Sequence, residues 1–69
     1  MNNMKLEYDK EANSAYIYLK DTIGTGEVAR TVSMNNEIKL DFSASNQLLG
    51  IEILNAKKYL PAEAIPVPA

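Results

Sequence analysis

In the run Glu37-Ile38-Lys39-Leu40-Asp41-Phe42, charged and apolar residues alternate without a break. An extended chain turns successive side chains to opposite sides. A period of two therefore builds a strand with one wet face and one dry face. The pattern recurs, less regularly, at Lys5-Leu6-Glu7-Tyr8, at Ala15-Tyr16-Ile17-Tyr18-Leu19, over residues 28–34 and over residues 48–54. Turn-forming residues separate the runs: 9–14, the 21–26 loop with Gly24 and Gly26, Asn35-Asn36, and 43–47. Short polar side chains bond nearby backbone, and Asn accepts positive φ better than most residues. After the fifth run, Asn55 is placed to cap a short helix over residues 56–60, which Pro61 ends. The expected fold is α+β, mainly β: a five-stranded antiparallel meander with a short C-terminal helix. One domain occupies residues 1–61, and a flexible Pro-rich tail follows over 62–69.

The alternation assigns Leu6, Tyr8, Ile17, Leu19, Val32, Ile38, Leu40, Phe42, Leu49, Ile51 and Ile53 to one side of the sheet. A helix of five or six residues spans only about 9 Å. Five strands spaced about 4.8 Å apart are far wider than it can cover. Either the sheet curls on itself or a second polypeptide covers the remainder. Size argues in the same direction. A chain of 69 residues buries a small share of its surface, and small domains are often braced by disulfides, a metal or a partner. The absence of Cys removes disulfides and thiolate zinc sites, and the absence of His removes the commonest metal ligand. A homodimer, or a complex with a small protein partner, is the expected support.

The formal net charge is −2, and the basic residues Lys5, Lys10, Lys20, Arg30, Lys39, Lys57 and Lys58 are scattered. Nucleic-acid binding draws its affinity from clustered cations on phosphates, so it is disfavoured. No apolar run is long enough to cross a bilayer, and the N-terminal stretch does not read as a secretion signal. A cytoplasmic protein is expected.

Among the carboxylates, Asp9 and Asp41 fall at strand ends and Glu52 falls within a strand. Read as chemistry, the three form an acid–base or metal set across a dimer interface. Read as architecture, the aspartates start turns and Glu52 faces water, and this is the preferred reading. Asp9-x-Glu11-x-Asn13 begins like a calcium loop, but Ser14 and Lys20 stand where that loop needs Gly and Glu. Gly24-Thr25-Gly26 precedes a strand pattern rather than a helix, so it is a turn and not a phosphate cradle. No catalytic, cofactor-binding or metal-ligating residue is assigned, and the chain is read as a non-enzyme. A third reading, weak nucleic-acid binding, would use Arg30, Lys39 and Lys57-Lys58.

The tyrosines carry more information. Tyr16 and Tyr18 share a face opposite Ile17 and Leu19, so the second strand is apolar or aromatic on both sides. The short helix either folds over them, with Tyr59 and Leu60 stacking there, or leaves them to a partner, since stiff amphipathic rings favour interfaces. The expected interaction surface is Tyr16, Tyr18, Tyr59, Leu49, Ile51 and Ile53. Gly50 within a strand marks a bulge or a close approach, Ala15 is small for a similar reason, and Glu52 is placed to pair with Arg30 on the outer face.

Three segments together resemble a family of short bacterial and archaeal proteins known as a domain of unknown function. They are Tyr8-Asp9-x-Glu11-x-Asn13-x-x-Tyr16-Ile17-x-Leu19, Ile38-x-Leu40-Asp41-Phe42 and Leu49-Gly50-Ile51-Glu52-Ile53-Leu54-Asn55-Ala56. Members read like YDPEADALYIRL, ILDYD and LVGIEILDAS. This chain departs at Asn13, where Asp is common, and at Phe42, where Tyr is usual. The likeness spans residues 4–60. It implies a small β-rich fold with a C-terminal helical turn and no known enzyme activity. Genes of such proteins often lie beside small toxin-like genes, which implies an antitoxin or partner-binding role.

Overall fold

The computed structural model describes residues 4–66. The five alternating runs become strands β1 (Lys5–Asp9), β2 (Ser14–Tyr18), β3 (Arg30–Ser33), β4 (Ile38–Phe42) and β5 (Leu48–Leu54). A one-turn helix α1 (Ala56–Tyr59) and a 3-10 turn (Ala62–Ala64) follow. All pairings are antiparallel, so the expected mainly β class with a short C-terminal helix is what the chain adopts. The strand order is β1-β2-β5-β4-β3, which departs from a strictly sequential meander at one place. β5 inserts between β2 and β4. It is the longest strand and the most buried, with no exposed residue, and such strands belong in the middle of a sheet.

Register fixes the two faces, because directly paired residues point the same way. Leu6, Ile17, Ile51, Leu40 and Val32 form one row across the sheet, and Tyr8, Ala15, Ile53 and Ile38 form the next. Both rows lie on the expected apolar face. The opposite face carries Glu7, Tyr16, Glu52 and Lys39 in one row and Lys5, Tyr18, Gly50, Asp41 and Thr31 in another. Between Asp41 and Phe42 the register slips, so that Phe42 pairs with Leu48 and Leu49 is the extra residue.

Helix α1 lies on the apolar face over its second row. Ala56 is fully buried and clusters with Ala15 and Ile53, and Leu60 and Tyr59 pack around them. The small side chain of Ala15 lets the helix approach. The helix therefore does not fold over Tyr16 and Tyr18, which lie on the other face. The reason is the apolar second row, whose burial drives the docking. The helix is one residue shorter than expected, because Leu60 takes the extended backbone that Pro61 imposes on its neighbour. Strand β3 is also shorter than the 28–34 expected. Its partner β4 ends at Phe42, opposite Arg30, leaving the earlier residues without a regular ladder.

Asn55 occupies the N-cap position but is left-handed (φ 55°), and its side chain does not cap. The cap comes from Asn13, in the bend of the first hairpin. Its main-chain oxygen accepts from the Ala56 amide at 2.8 Å, and its Oδ1 accepts from the Lys57 amide at 3.1 Å. Tyr8 donates to the same Oδ1, and Asn13 Nδ2 donates to Asn55 Oδ1. Every positive-φ residue other than glycine among those described is an asparagine: Asn13, Asn36, Asn46 and Asn55. The bend itself is closed by Asp9, whose Oδ1 accepts from the amides of Glu11 and Ala12. The far end of the helix is anchored by Tyr59. Its hydroxyl donates to Glu37 Oε1 at 2.5 Å and accepts from Asn35. The Pro-rich segment opens with the 3-10 turn, and its last three residues lie outside the described residues.

Loop 19–29 carries the chain from β2 past β5 and β4 to β3. Glu27 fastens it, accepting from the Gly24 amide at 2.6 Å and from Lys20 Nζ at 2.5 Å. The Lys20 bond, then the Gly24 amide, hold the Glu27 carboxyl below its ordinary value of 4.5. The Tyr59 hydroxyl, helped by Lys58, does the same for Glu37. A carboxyl whose folded value is depressed stabilises the fold above its unfolded value, and that contribution fades as pH falls through the folded value.

Two outcomes are expected. Asn13→Ala loses a helix cap and places Ala in a left-handed backbone, lowering stability by about 2 kcal/mol in urea titration, whereas Asn13→Asp keeps the acceptor and most of the stability. Below pH 4.5 the melting temperature falls, and Glu27→Gln with Glu37→Gln flattens that acid limb.

Candidate functional site

The polar face is organised by one side chain lying across a neighbouring strand. Tyr16 leaves β2, passes over Gly50 of β5 and donates its hydroxyl to Asp41 Oδ2 on β4 at 2.6 Å. Thr31 on β3 donates to the other oxygen of Asp41 at 2.6 Å. Three strands, β2, β3 and β4, are thus cross-linked by two hydrogen bonds to one carboxylate, across β5. Gly50 makes the crossing feasible, since a Cβ there would sit 2.6 Å from Tyr16 Cε2 and Cζ. The expected close approach at Gly50 is therefore real, but the approaching group is an aromatic ring. Partial burial, then the bond to Asp41, push the Tyr16 hydroxyl well above its ordinary value of 10.0. Tyr18 packs edge-on against Tyr16 at 4.7 Å between ring centres and donates to Glu7 Oε1, which raises its own value. Lys5 sits 4.8 Å from the centre of the Tyr18 ring.

The three carboxylates singled out from sequence have different surroundings. Asp9 is committed to the turn and Asp41 to Tyr16 and Thr31. Glu52 faces Tyr16 and Lys39 across the ladder. Arg30 lies on the opposite face over Phe42 and donates to Asn46 Oδ1, so the expected Glu52–Arg30 pair does not form. The cause is parity: Arg30 and Glu52 occupy positions of opposite orientation. Glu7, Asp9, Glu11 and Glu52 do border a shallow open depression of about 650 Å³, walled by Tyr8 and Tyr16. Asp41 stands beyond the Tyr16 ring, outside it. Among the described residues no group of three or more acidic side chains is placed to hold a metal ion. The cations are likewise dispersed, with Arg30 and Lys39 on opposite faces and Lys58 paired to Glu37 at 3.6 Å.

The residues expected to form a contact surface divide between the faces. Tyr16 and Tyr18 share the polar face, and Ile51, Ile53, Leu49 and Tyr59 belong to the apolar one. Leu49 and Ile53 are 6% and 5% exposed, so they carry the chain's own core rather than a free surface. Ile51 stays half-exposed, as do Leu6, Ile17 and Leu40 in its row. The large apolar side chains that are openly exposed are Met4 (59%), Val28 (36%), Val32 (39%) and Met34 (64%). Val32 belongs to the apolar face, and Met4 and Met34 adjoin it at the ends of β1 and β3, while Val28 precedes β3. Val32 was expected on the apolar face, but the expected contact surface left out these margins, because alternation reports the side a residue faces and not whether the helix reaches it.

This chain belongs to the family described as Protein of unknown function (DUF2283), whose model matches residues 5–57. The match begins with β1 and ends inside α1, so it takes in the whole sheet and the capped start of the helix. It agrees with the family resemblance carried by the sequence motifs. No curated protein and no solved structure matches the chain.

A double-mutant cycle checks the Tyr16 crossing. Gly50→Ala is expected to destabilise the fold by about 1–3 kcal/mol through overpacking. In a Tyr16→Ser background most of that loss should vanish, because the clashing ring is gone. Equal losses in both backgrounds would show that Gly50 serves the backbone alone.

Proposed function

We propose that this domain is a cytoplasmic protein-interaction module that acts by binding a second polypeptide rather than by catalysis. The observation that carries the reading is the apolar face left open beyond the helix. Five strands make a sheet about 24 Å wide at about 4.8 Å per strand, while a four-residue helix is about 6 Å long and about 10 Å across. The row Leu6, Ile17, Ile51, Leu40 and Val32 remains half-buried or exposed, and Met4 and Met34 adjoin it at the ends of β1 and β3. Arg30 is the one charged residue that the strands place on this face. Contiguous apolar surface of this kind marks contact sites in soluble proteins. The molecule's broad side measures 37 × 31 Å, which leaves room for the roughly 800 Å² per partner of a standard interface.

An antitoxin-like role is the finer form of this reading. It rests on the family resemblance, with the apolar face, or the acidic rim of Glu7, Asp9, Glu11 and Glu52, docking on a small basic protein. A partner that binds only the folded chain stabilises it by mass action. The thermal midpoint is therefore expected to rise with protein concentration, together with a sedimentation coefficient above that of a single chain. A midpoint constant over a hundredfold dilution, a monomer by sedimentation and no stoichiometric complex with the product of a neighbouring gene would together end the proposal.

A further inference from the structure

We propose that residues 55–66 form a strap that swings open as a unit about Asn55 while the five strands stay folded, uncovering the second apolar row. This is a property of the single chain and does not depend on the interaction-module reading.

The sheet holds the chain as far as Leu54, whose amide donates to the Glu37 main-chain oxygen. From Asn55 onward, among the described residues, every hydrogen bond that leaves the segment ends at one of two latches. At the first, Asn13 accepts from the Ala56 and Lys57 amides and donates to Asn55 Oδ1. At the second, Glu37 accepts from Tyr59 and pairs with Lys58, while Asn35 donates to the Tyr59 hydroxyl. The amides of Lys58, Leu60, Ala64 and Ile65 donate within the segment itself. The Asn13 side-chain bonds and the Asn35 bond are exposed, and a hydrogen bond that water can replace adds little net stability. Ala56 is the only buried residue of the segment, and one helical turn does not hold itself together.

The strands have supports that the segment does not provide. Their four ladders run without it. On the opposite face Tyr16, Asp41 and Thr31 brace β2, β4 and β3, and Leu49 is buried outside the cluster that Ala56 joins. Opening therefore breaks two latches and bares Ala15 and Ile53, but it leaves the ladders and the brace intact. Elements tied by few buried contacts open more often than the rest of a fold. In the open form Tyr8, Ala15, Ile53 and Ile38 join the first row in one apolar surface, so the face has a narrow and a wide form.

The test is native-state amide exchange by NMR on the full chain, over a range of low urea concentrations. The Ala56, Lys57 and Leu60 amides should share one opening equilibrium, about tenfold or more above that of the slowest-exchanging amides of β2 and β5. Its urea dependence should be shallow, since opening exposes little surface. Tyr59→Phe cuts the Glu37 latch and should speed all three amides about tenfold, including the two that bond Asn13. Tyr16→Phe cuts the brace and should speed the slowest sheet amides about tenfold while leaving the three unchanged, because strap opening keeps that bond. If Tyr59→Phe speeds Leu60 alone, the segment frays instead of opening as a unit, and the proposal fails. It fails equally if the wild-type helix amides match the slowest sheet amides, or if Tyr16→Phe accelerates both sets alike. Either result means that the segment leaves only when the whole chain unfolds.

Discussion

A one-turn helix has no stability of its own, because nucleating it fixes several residues for a single hydrogen bond. Helix α1 exists here because the bend of the first hairpin meets it. Asn13 presents a main-chain oxygen and a side-chain oxygen to the Ala56 and Lys57 amides, two of the donors a helix start leaves unsatisfied. Tyr59 ties the other end to the turn between β3 and β4. Between these ties Ala56 is buried against Ala15 and Ile53. The first hairpin, the last strand and the helix therefore stabilise one another, and the polar stretch after Tyr8 is a joint as well as a turn.

The two faces of the sheet are held by different physics. The apolar face has a small dry centre under the helix and a broad half-wet remainder. The polar face has no core, and it gains its rigidity from Tyr16 lying over Gly50 and bonding Asp41, with Thr31 closing the chain of contacts. Because the Tyr16 hydroxyl is held well above its usual range, it stays a donor through neutral pH. Its contribution is intact below the unfolded value of about 10 and is lost as pH rises from there through the raised folded value. One contact joins two segments far apart in the chain: Tyr16 of β2 and Gly50 of β5 lie against each other in the folded chain. It also gives Asp41 a structural task, which removes it from the acidic rim near Asp9 and Glu52.

Much of this was legible in the chain. The five strand runs, the apolar face, the turn at Asp9 and the stop at Pro61 followed from alternation and local backbone chemistry, which act over a few residues. The functional surface was legible only in part. Tyr16 and Tyr18 do share a face, but Leu49 and Ile53 proved to be core, and the exposed Val28, Val32 and Met34 were left out of the expected contact surface. The Glu52–Arg30 pair failed because a residue's face depends on its neighbours' register. Asn55 failed as a cap because its backbone turns left-handed, leaving Asn13 to supply the contact from 42 residues away.

Sequence by itself determined that this chain would be a small antiparallel sheet with one greasy side and a vestigial helix, since periodicity and turn residues are local properties. Tertiary structure decided that β5 lies at the centre, that the helix covers one row and leaves another open, and that β3 is an edge strand exposed along its whole length. Those outcomes depend on contacts between segments far apart in the chain. They are settled by which pairing buries the most apolar surface, and no local pattern records that.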